Sequence, residues 1–229
     1  MAKRTIQLEL PRTRGWGGFR KGAGRPRTAP RPLVPHRPRP PHVGWAPVHL
    51  TLRCMSGLPS LRSMEVFPAV VAALRAAQSA AFRVLQFSVQ DNHVHLLVEA
   101  NDSGALRAGA RSLGVRLARA INRAAGRKGR VLDDRYHTRA LRTPREVRFA
   151  LAYVLFNFKK HQVRVPTRLD PCSSAPWCDG FRGRPAAALV GAPVAAPHTW
   201  LARVGWRRHG LLSPDERPAD AADAAPRRR

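Results

Sequence analysis

From Val48 onward the hydrophobic positions follow two periods in turn, and each switch of period marks an element. Val48-His49-Leu50-Thr51-Leu52-Arg53 places an apolar residue at every second position, as a strand with one buried face does. Residues 67–80 are alanine-rich and predict a helix, with Pro68 accommodated in the first turn, where the amide proton it lacks has no helical partner. Residues 82–89 and 92–99 predict a second and a third strand, joined through Gln90-Asp91-Asn92 as a hairpin turn. The strongest helical pattern starts at an N-cap on Asp102 or Ser103 and stops at Gly126. At about 100° per residue, Leu106, Ala110, Leu113, Leu117, Ile121 and Ala124 form one apolar stripe, and Arg116, Arg119, Arg123 and Arg127 gather opposite it. Residues 134–141 alternate as a fourth strand. Thr143 as N-cap, Pro144 at the first helical position and Glu146 two residues later then make a capping box, opening a helix that runs to about His161.

The order β-α-β-β-α-β followed by a helix is the ferredoxin-like split βαβ plan, an α+β fold, and about 120 residues suffice for one such core. This divides the chain into a basic, proline-rich arm over 1–44, expected to be disordered, a folded domain over 45–165, and a basic C-terminal extension over 166–229. The extension has scattered apolar clusters and reads as an appendage with one short helix and a frayed tail.

Charge narrows the partner. The chain carries Lys+Arg 41 against Asp+Glu 14, a formal net charge of +27, which points to a polyanion. The arm alone holds eleven Lys/Arg and one acid, Glu9. Its Gly24-Arg25-Pro26 is similar to the core of an AT-hook, whose arginines enter a narrow minor groove, but plain phosphate attraction is the favoured account of Arg25 and Arg27. No apolar run is long enough for a membrane span, and Thr5 to Leu10 is too short and polar for a signal peptide core, so a cytoplasmic protein without membrane partners is expected. Cys54, Cys172 and Cys178 form no C-x-x-C pair and read as reduced bystanders.

Two pairs of residues carry the candidate chemistry. His93 and His95, at i and i+2 of a strand, point to one face, and two adjacent imidazoles are half of a metal site or two half-buried core histidines. Tyr153 and Asn157, at i and i+4, share one face of the last helix; singly they read as a core aromatic and a surface amide. Taken together, His93-Val94-His95 resembles the His-hydrophobe-His signature of the HUH endonucleases. Tyr153-Val154-Leu155-Phe156-Asn157 resembles the nucleophile helix of the single-tyrosine transposases, with the REP-associated tyrosine transposases the nearest branch. The resemblance covers residues 48–161.

What that resemblance implies is a site in which His93, His95 and Asn157 hold a divalent ion, Mg²⁺ or Mn²⁺, and Tyr153 is the nucleophile that cuts and rejoins single-stranded or hairpin DNA. It also implies a bacterial, nucleoid-associated protein, monomeric or homodimeric. Arg116, Arg119, Arg123 and Arg127 are expected to contact phosphates. Tyr136 is the alternative nucleophile, and Glu99 and His137 are candidates for orienting a ligand histidine. Three readings rival this one. A histidine-triad hydrolase fails at Leu97, where its third histidine should stand. A ferredoxin-like binding module without chemistry would show stacking aromatics on its central strands, where only Phe82 and Phe87 are available. A domesticated repeat-processing nuclease would carry the same residues as a transposase.

Overall fold

The computed structural model describes residues 40–160, 168–183 and 186–218. Four strands, β1 (Val48–Arg53), β2 (Phe82–Val89), β3 (His93–Ala100) and β4 (His137–Ala140), form one sheet in the order β2-β3-β1-β4. Every neighbouring pair is antiparallel. Helix α1 (Phe67–Ala76) joins β1 to β2, α2 (Ser103–Ala124) joins β3 to β4, and α3 (Pro144–Lys160) follows β4. This is the expected ferredoxin-like α+β core with an added helix.

Local chemistry fixes the boundaries. Asp102 is the N-cap of α2, its Oδ1 accepting from Ala105 N at 2.8 Å. Beyond the end of α2, Gly126 has φ +59°, a left-handed turn that suits glycine. The capping box of α3 is reciprocal: Glu146 N donates to Thr143 Oγ1 at 3.2 Å, and Thr143 N donates to Glu146 Oε2 at 3.1 Å. Two elements are shorter than the pattern predicts. Helix α1 stops at Ala76 because Gln78 turns inward, its Oε1 accepting from Val84 N and its Nε2 donating to Pro193 O. Strand β4 is confined to the four residues that pair with β1.

The sheet lies between two cores. Leu50, Leu52, Val84, Phe87, Leu96 and Val98 point one way, against Val70 and Leu74 of α1 and Leu113, Leu117 and Ile121 of α2. Leu85 and Leu97 point the other way, against Leu151 and Leu155 of α3. A register shift between Val84 and Gln86 of β2 lets Leu85 cross to the second core while Val84 and Phe87 both serve the first.

The C-terminal region, expected as an appendage, is instead built into the second core through Leu169, Ala175, Phe181, Leu201, Trp206 and Leu212. A four-residue helix α4 (Trp200–Arg203) and two short 3₁₀ turns, Ala175–Trp177 and Gly205–His209, are its only regular elements among the described residues. The buried carboxylate of Glu99 ties it to the sheet. Glu99 accepts from His198 N and Thr199 N at 2.9 Å each, and from Arg83 Nε at 3.2 Å. Sequence periodicity missed this packing because each anchor sits alone among polar, glycine and proline residues. Among the described residues, no helix is long and apolar enough to cross a membrane.

Candidate active site

Strand pairing assembles a polar row on the α3 face of the sheet. Ser88 pairs with His95, His95 with Thr51, and Thr51 with His137, so the row runs across all four strands. Paired residues of an antiparallel sheet share a face, so all four side chains stand beneath or beside α3. His49, two residues before Thr51, and His93, two before His95, flank the row on the same face.

The rings of His93 and His95 are 4.7 Å apart at 86°. His95 is nearly buried, 6% exposed. Its Nδ1 lies 3.1 Å from Thr51 Oγ1 and 3.3 Å from His49 Nε2. His93 Nδ1 lies 2.9 Å from Asn92 Oδ1. In both rings, then, Nδ1 is turned toward protein oxygen or nitrogen. Helix α3 lays Tyr153 over this group, its ring 5.2 Å from His95 and 5.5 Å from His49, edge-on to both. Lys160 Nζ stands 5.9 Å from the centre of the Tyr153 ring, bringing a cation to the same helix face.

His49 itself is strongly perturbed. Burial, reinforced by the positive charge of Arg139 across the strand pair, lowers its pKa from 6.5 to about 4, so this imidazole is neutral at physiological pH. The sequence reading passed over His49. Its signal was present in two parts, the polar face of an alternating strand and a strand order that makes β1 the neighbour of β3, but only together do they bring His49 to His95.

Asn157, one turn beyond Tyr153, is fully buried, and neither Oδ1 nor Nδ2 has a hydrogen-bond partner among the described residues. Gln90 Oε1, at the hairpin end of β2, is buried and unpaired as well, while its Nε2 donates to Ser88 Oγ at 2.7 Å. Buried carboxamides left unmet cost about 1–3 kcal/mol each. The described residues hold no group of three or more His, Cys, Asp or Glu arranged for a metal. Among the described residues a divalent ion at His93 and His95 would draw its third donor from another residue type, and the Asn157 carboxamide oxygen has that chemistry.

Other sequence candidates fall elsewhere. Tyr136 packs against the first core, across the sheet from Tyr153. Glu99 is committed to Arg83 and to the start of α4. His137 closes the polar row at its exposed edge. Arg116, Arg119 and Arg123 stand exposed along α2, but Arg127 lies past the helix end and is half-buried, donating to Asn122 Oδ1 and Arg130 O, so it leaves that row. Arg25 and Arg27 lie outside the described residues. The thiols of Cys54 and Cys178 are pushed up to about 11 and about 12, chiefly by burial, which disqualifies them as nucleophiles.

No protein-family model matches the chain, and no curated protein matches it. Among solved structures it is similar to a REP-associated tyrosine transposase bound to a REP hairpin. The identity is 15% and the TM-score 0.47, over 62% of this chain and 83% of that one. A likeness of that size says nothing about chemistry, which rests on the side chains described above.

Proposed function

We propose that this chain is a DNA endonuclease and transposase that cuts and rejoins single-stranded or hairpin DNA through a covalent phosphotyrosine at Tyr153. The observation that carries the reading is convergence on His95: the His93 ring lies 4.7 Å from it and the Tyr153 ring 5.2 Å from it, with an unpartnered carboxamide one turn along the tyrosine's helix. An ordinary core has no use for a buried, unpaired asparagine one helical turn from a tyrosine that packs on paired imidazoles. A phosphodiester site does.

Tyr153 Oη attacks phosphorus, forming a tyrosine-phosphate bond as the bond from phosphorus to a deoxyribose oxygen breaks. The phenolic proton leaves to solvent and the departing deoxyribose oxygen takes one up. A DNA hydroxyl attacking the same phosphorus reverses the step, and because the phosphoester energy is retained in the tyrosine link, rejoining requires no nucleotide triphosphate. His93, His95 and Asn157 are the residues that would hold Mg²⁺ or Mn²⁺. When bound, such an ion supplies Lewis-acid stabilisation of charge developing on the phosphate oxygens. Two imidazoles suit Mn²⁺ at least as well as Mg²⁺, which prefers oxygen ligands. Exposed Arg116, Arg119 and Arg123 of α2, with Arg25 and Arg27 of the arm and the net charge of +27, supply sequence-independent attraction to the DNA backbone.

The test is covalent capture. Protein incubated with a hairpin-bearing single-stranded oligonucleotide and Mn²⁺ should give a complex that survives boiling in detergent, with the nucleotide mapped to Tyr153 by mass spectrometry. The Tyr153→Phe protein should bind the oligonucleotide as the parent does and form no adduct. An adduct that persists in Tyr153→Phe overturns the assignment. Binding without an adduct on any of a panel of hairpins leaves the non-catalytic nucleic-acid module as the better reading.

A further inference from the structure

Resting on the metal-dependent reading above, we infer that His49 and Thr51 of β1 are positioning residues for His95, fixing which of its nitrogens faces the reacting phosphate. Neither residue touches substrate in this scheme. They act through the ring they hold.

The argument begins with hydrogen-bond inventory. A neutral imidazole carries one N–H and one lone pair, and it ligates a cation only through the lone pair. If His95 is to ligate through Nε2, its proton must be on Nδ1, and that proton needs an acceptor in a site that is almost dry. Two acceptors converge on it from the neighbouring strand, Thr51 Oγ1 at 3.1 Å and His49 Nε2 at 3.3 Å. Their placement follows from the pairing register, which sets Thr51 directly opposite His95 and His49 one same-face position along. The alternative tautomer, with His95 Nδ1 accepting, would turn an N–H toward the ion and abolish ligation. His49 Nε2 serves as acceptor only while the proton of His49 sits on Nδ1, so the two rings are coupled: both must be Nδ1–H.

The geometry also separates the two histidine ligands. His93 stands at the half-buried start of β3 with Nδ1 beside Asn92 Oδ1, its own sequence neighbour, and with Arg53 of β1 opposite it in register. The His95 ring is held by Thr51 and His49. Removing those two side chains should therefore loosen His95 while leaving the Asn92 contact of His93 in place.

Two measurements on the full chain test this. Long-range ¹H–¹⁵N spectra of the metal-free, histidine-labelled protein should show both His95 and His49 in the Nδ1–H form; a His95 in the Nε2–H form overturns the inference without any mutant. Mn²⁺ titration followed by electron paramagnetic resonance, with no DNA present, should show a Kd raised about 10- to 100-fold in His49→Phe/Thr51→Val, the usual cost of losing residues that orient a ligand. Hairpin affinity without metal should stay unchanged. His49→Gln keeps a carbonyl acceptor near the Nε2 position and should restore Mn²⁺ affinity to within a few-fold of the parent. If Gln fails to restore it, the ring of His49 matters for packing alone and the inference is wrong. Parent-like Mn²⁺ binding in the double variant also refutes it. His95→Ala distinguishes this failure from a failure of the underlying reading. Should His95→Ala bind Mn²⁺ as the parent does, the metal site itself is misassigned; should it lose the ion while the double variant keeps it, only the positioning role falls.

Discussion

The buried imidazole of His49 makes a quantitative demand on stability. Its pKa is about 4 in the fold, against 6.5 for an exposed histidine, with burial the larger cause and Arg139 the smaller. The sign follows from proton counting. Between those two values the unfolded chain binds a proton that the folded chain refuses, so acid favours unfolding and stability is lost as pH falls. The contribution is complete above pH 6.5, declines through the interval, and is gone near the folded value. Linkage puts the loss at about 2 kcal/mol between pH 7 and pH 5, approaching about 3 kcal/mol near pH 4. The perturbation that isolates it is His49→Gln, which is neutral at every pH and keeps a polar group in the same space. Urea unfolding in EDTA, fitted at several pH values, gives the difference between parent and variant. Titrating groups distant from His49 cancel in that difference, provided both proteins unfold in one step, and a parallel pair made in a His95→Ala background removes the one neighbour whose titration His49 touches. The gap should shift by about 2 kcal/mol in the variant's favour on going from pH 7 to pH 5. Parallel pH profiles for the two proteins would mean that His49 is not desolvated in the fold, and the packing of Tyr153 against it would have to be redrawn.

Two further predictions concern the frame around the site. Gly109 of α2 meets Phe82 of β2 so closely that an added Cβ would lie 2.1 Å from the ring; Gly109→Ala should destabilise by about 1–3 kcal/mol despite its gain of about 1 kcal/mol in helix propensity, and Phe82→Leu in the same chain should recover part of the loss, both read by urea unfolding. Glu99→Gln should cost about 3–5 kcal/mol by leaving Arg83 buried without its counter-charge, and hydrogen exchange should show α4 and the turn after it opening first; uniform exchange across the chain would contradict the tether.

The fold was legible where a signal is local. Asp102 and the Thr143/Glu146 pair marked helix starts correctly, since a cap is a bond between residues three positions apart. Alternation placed the first and fourth strands and apolar runs the second and third, and the spacing of His93 with His95 and of Tyr153 with Asn157 put each pair on one face. What escaped the sequence reading depends on distance along the chain. Alanine propensity carried α1 four residues too far because the competing bonds of Gln78 reach Val84 and Pro193. The shift between Val84 and Gln86 left no mark on an apolar run that is buried on both faces. His49 and His95 meet only through strand pairing, and pairing is not written in any single window.

The same distinction explains how the C-terminal region bears on the candidate site through α3. A helix resting on a sheet by one face can roll, and a roll of α3 would carry Tyr153 away from His49 and His95. Leu151 and Leu155 seat α3 on the sheet through Leu85 and Leu97. The outer side is gripped by the C-terminal chain: Phe156 meets Phe181 edge to face at 6.0 Å, and Lys159 Nζ donates to Pro214 O and, at 2.8 Å, to Glu216 O. The Arg148 guanidinium reaches both oxygens of Glu216, at 2.7 and 2.9 Å. Contacts on opposite sides of one helix restrain its rotation in a way that neither set achieves alone. In the proposed reaction, a phenol approaching phosphorus in line would gain more from that restraint than from any added contact of its own, because attack geometry tolerates displacements well below 1 Å. The extension is therefore part of the scaffold that aims Tyr153.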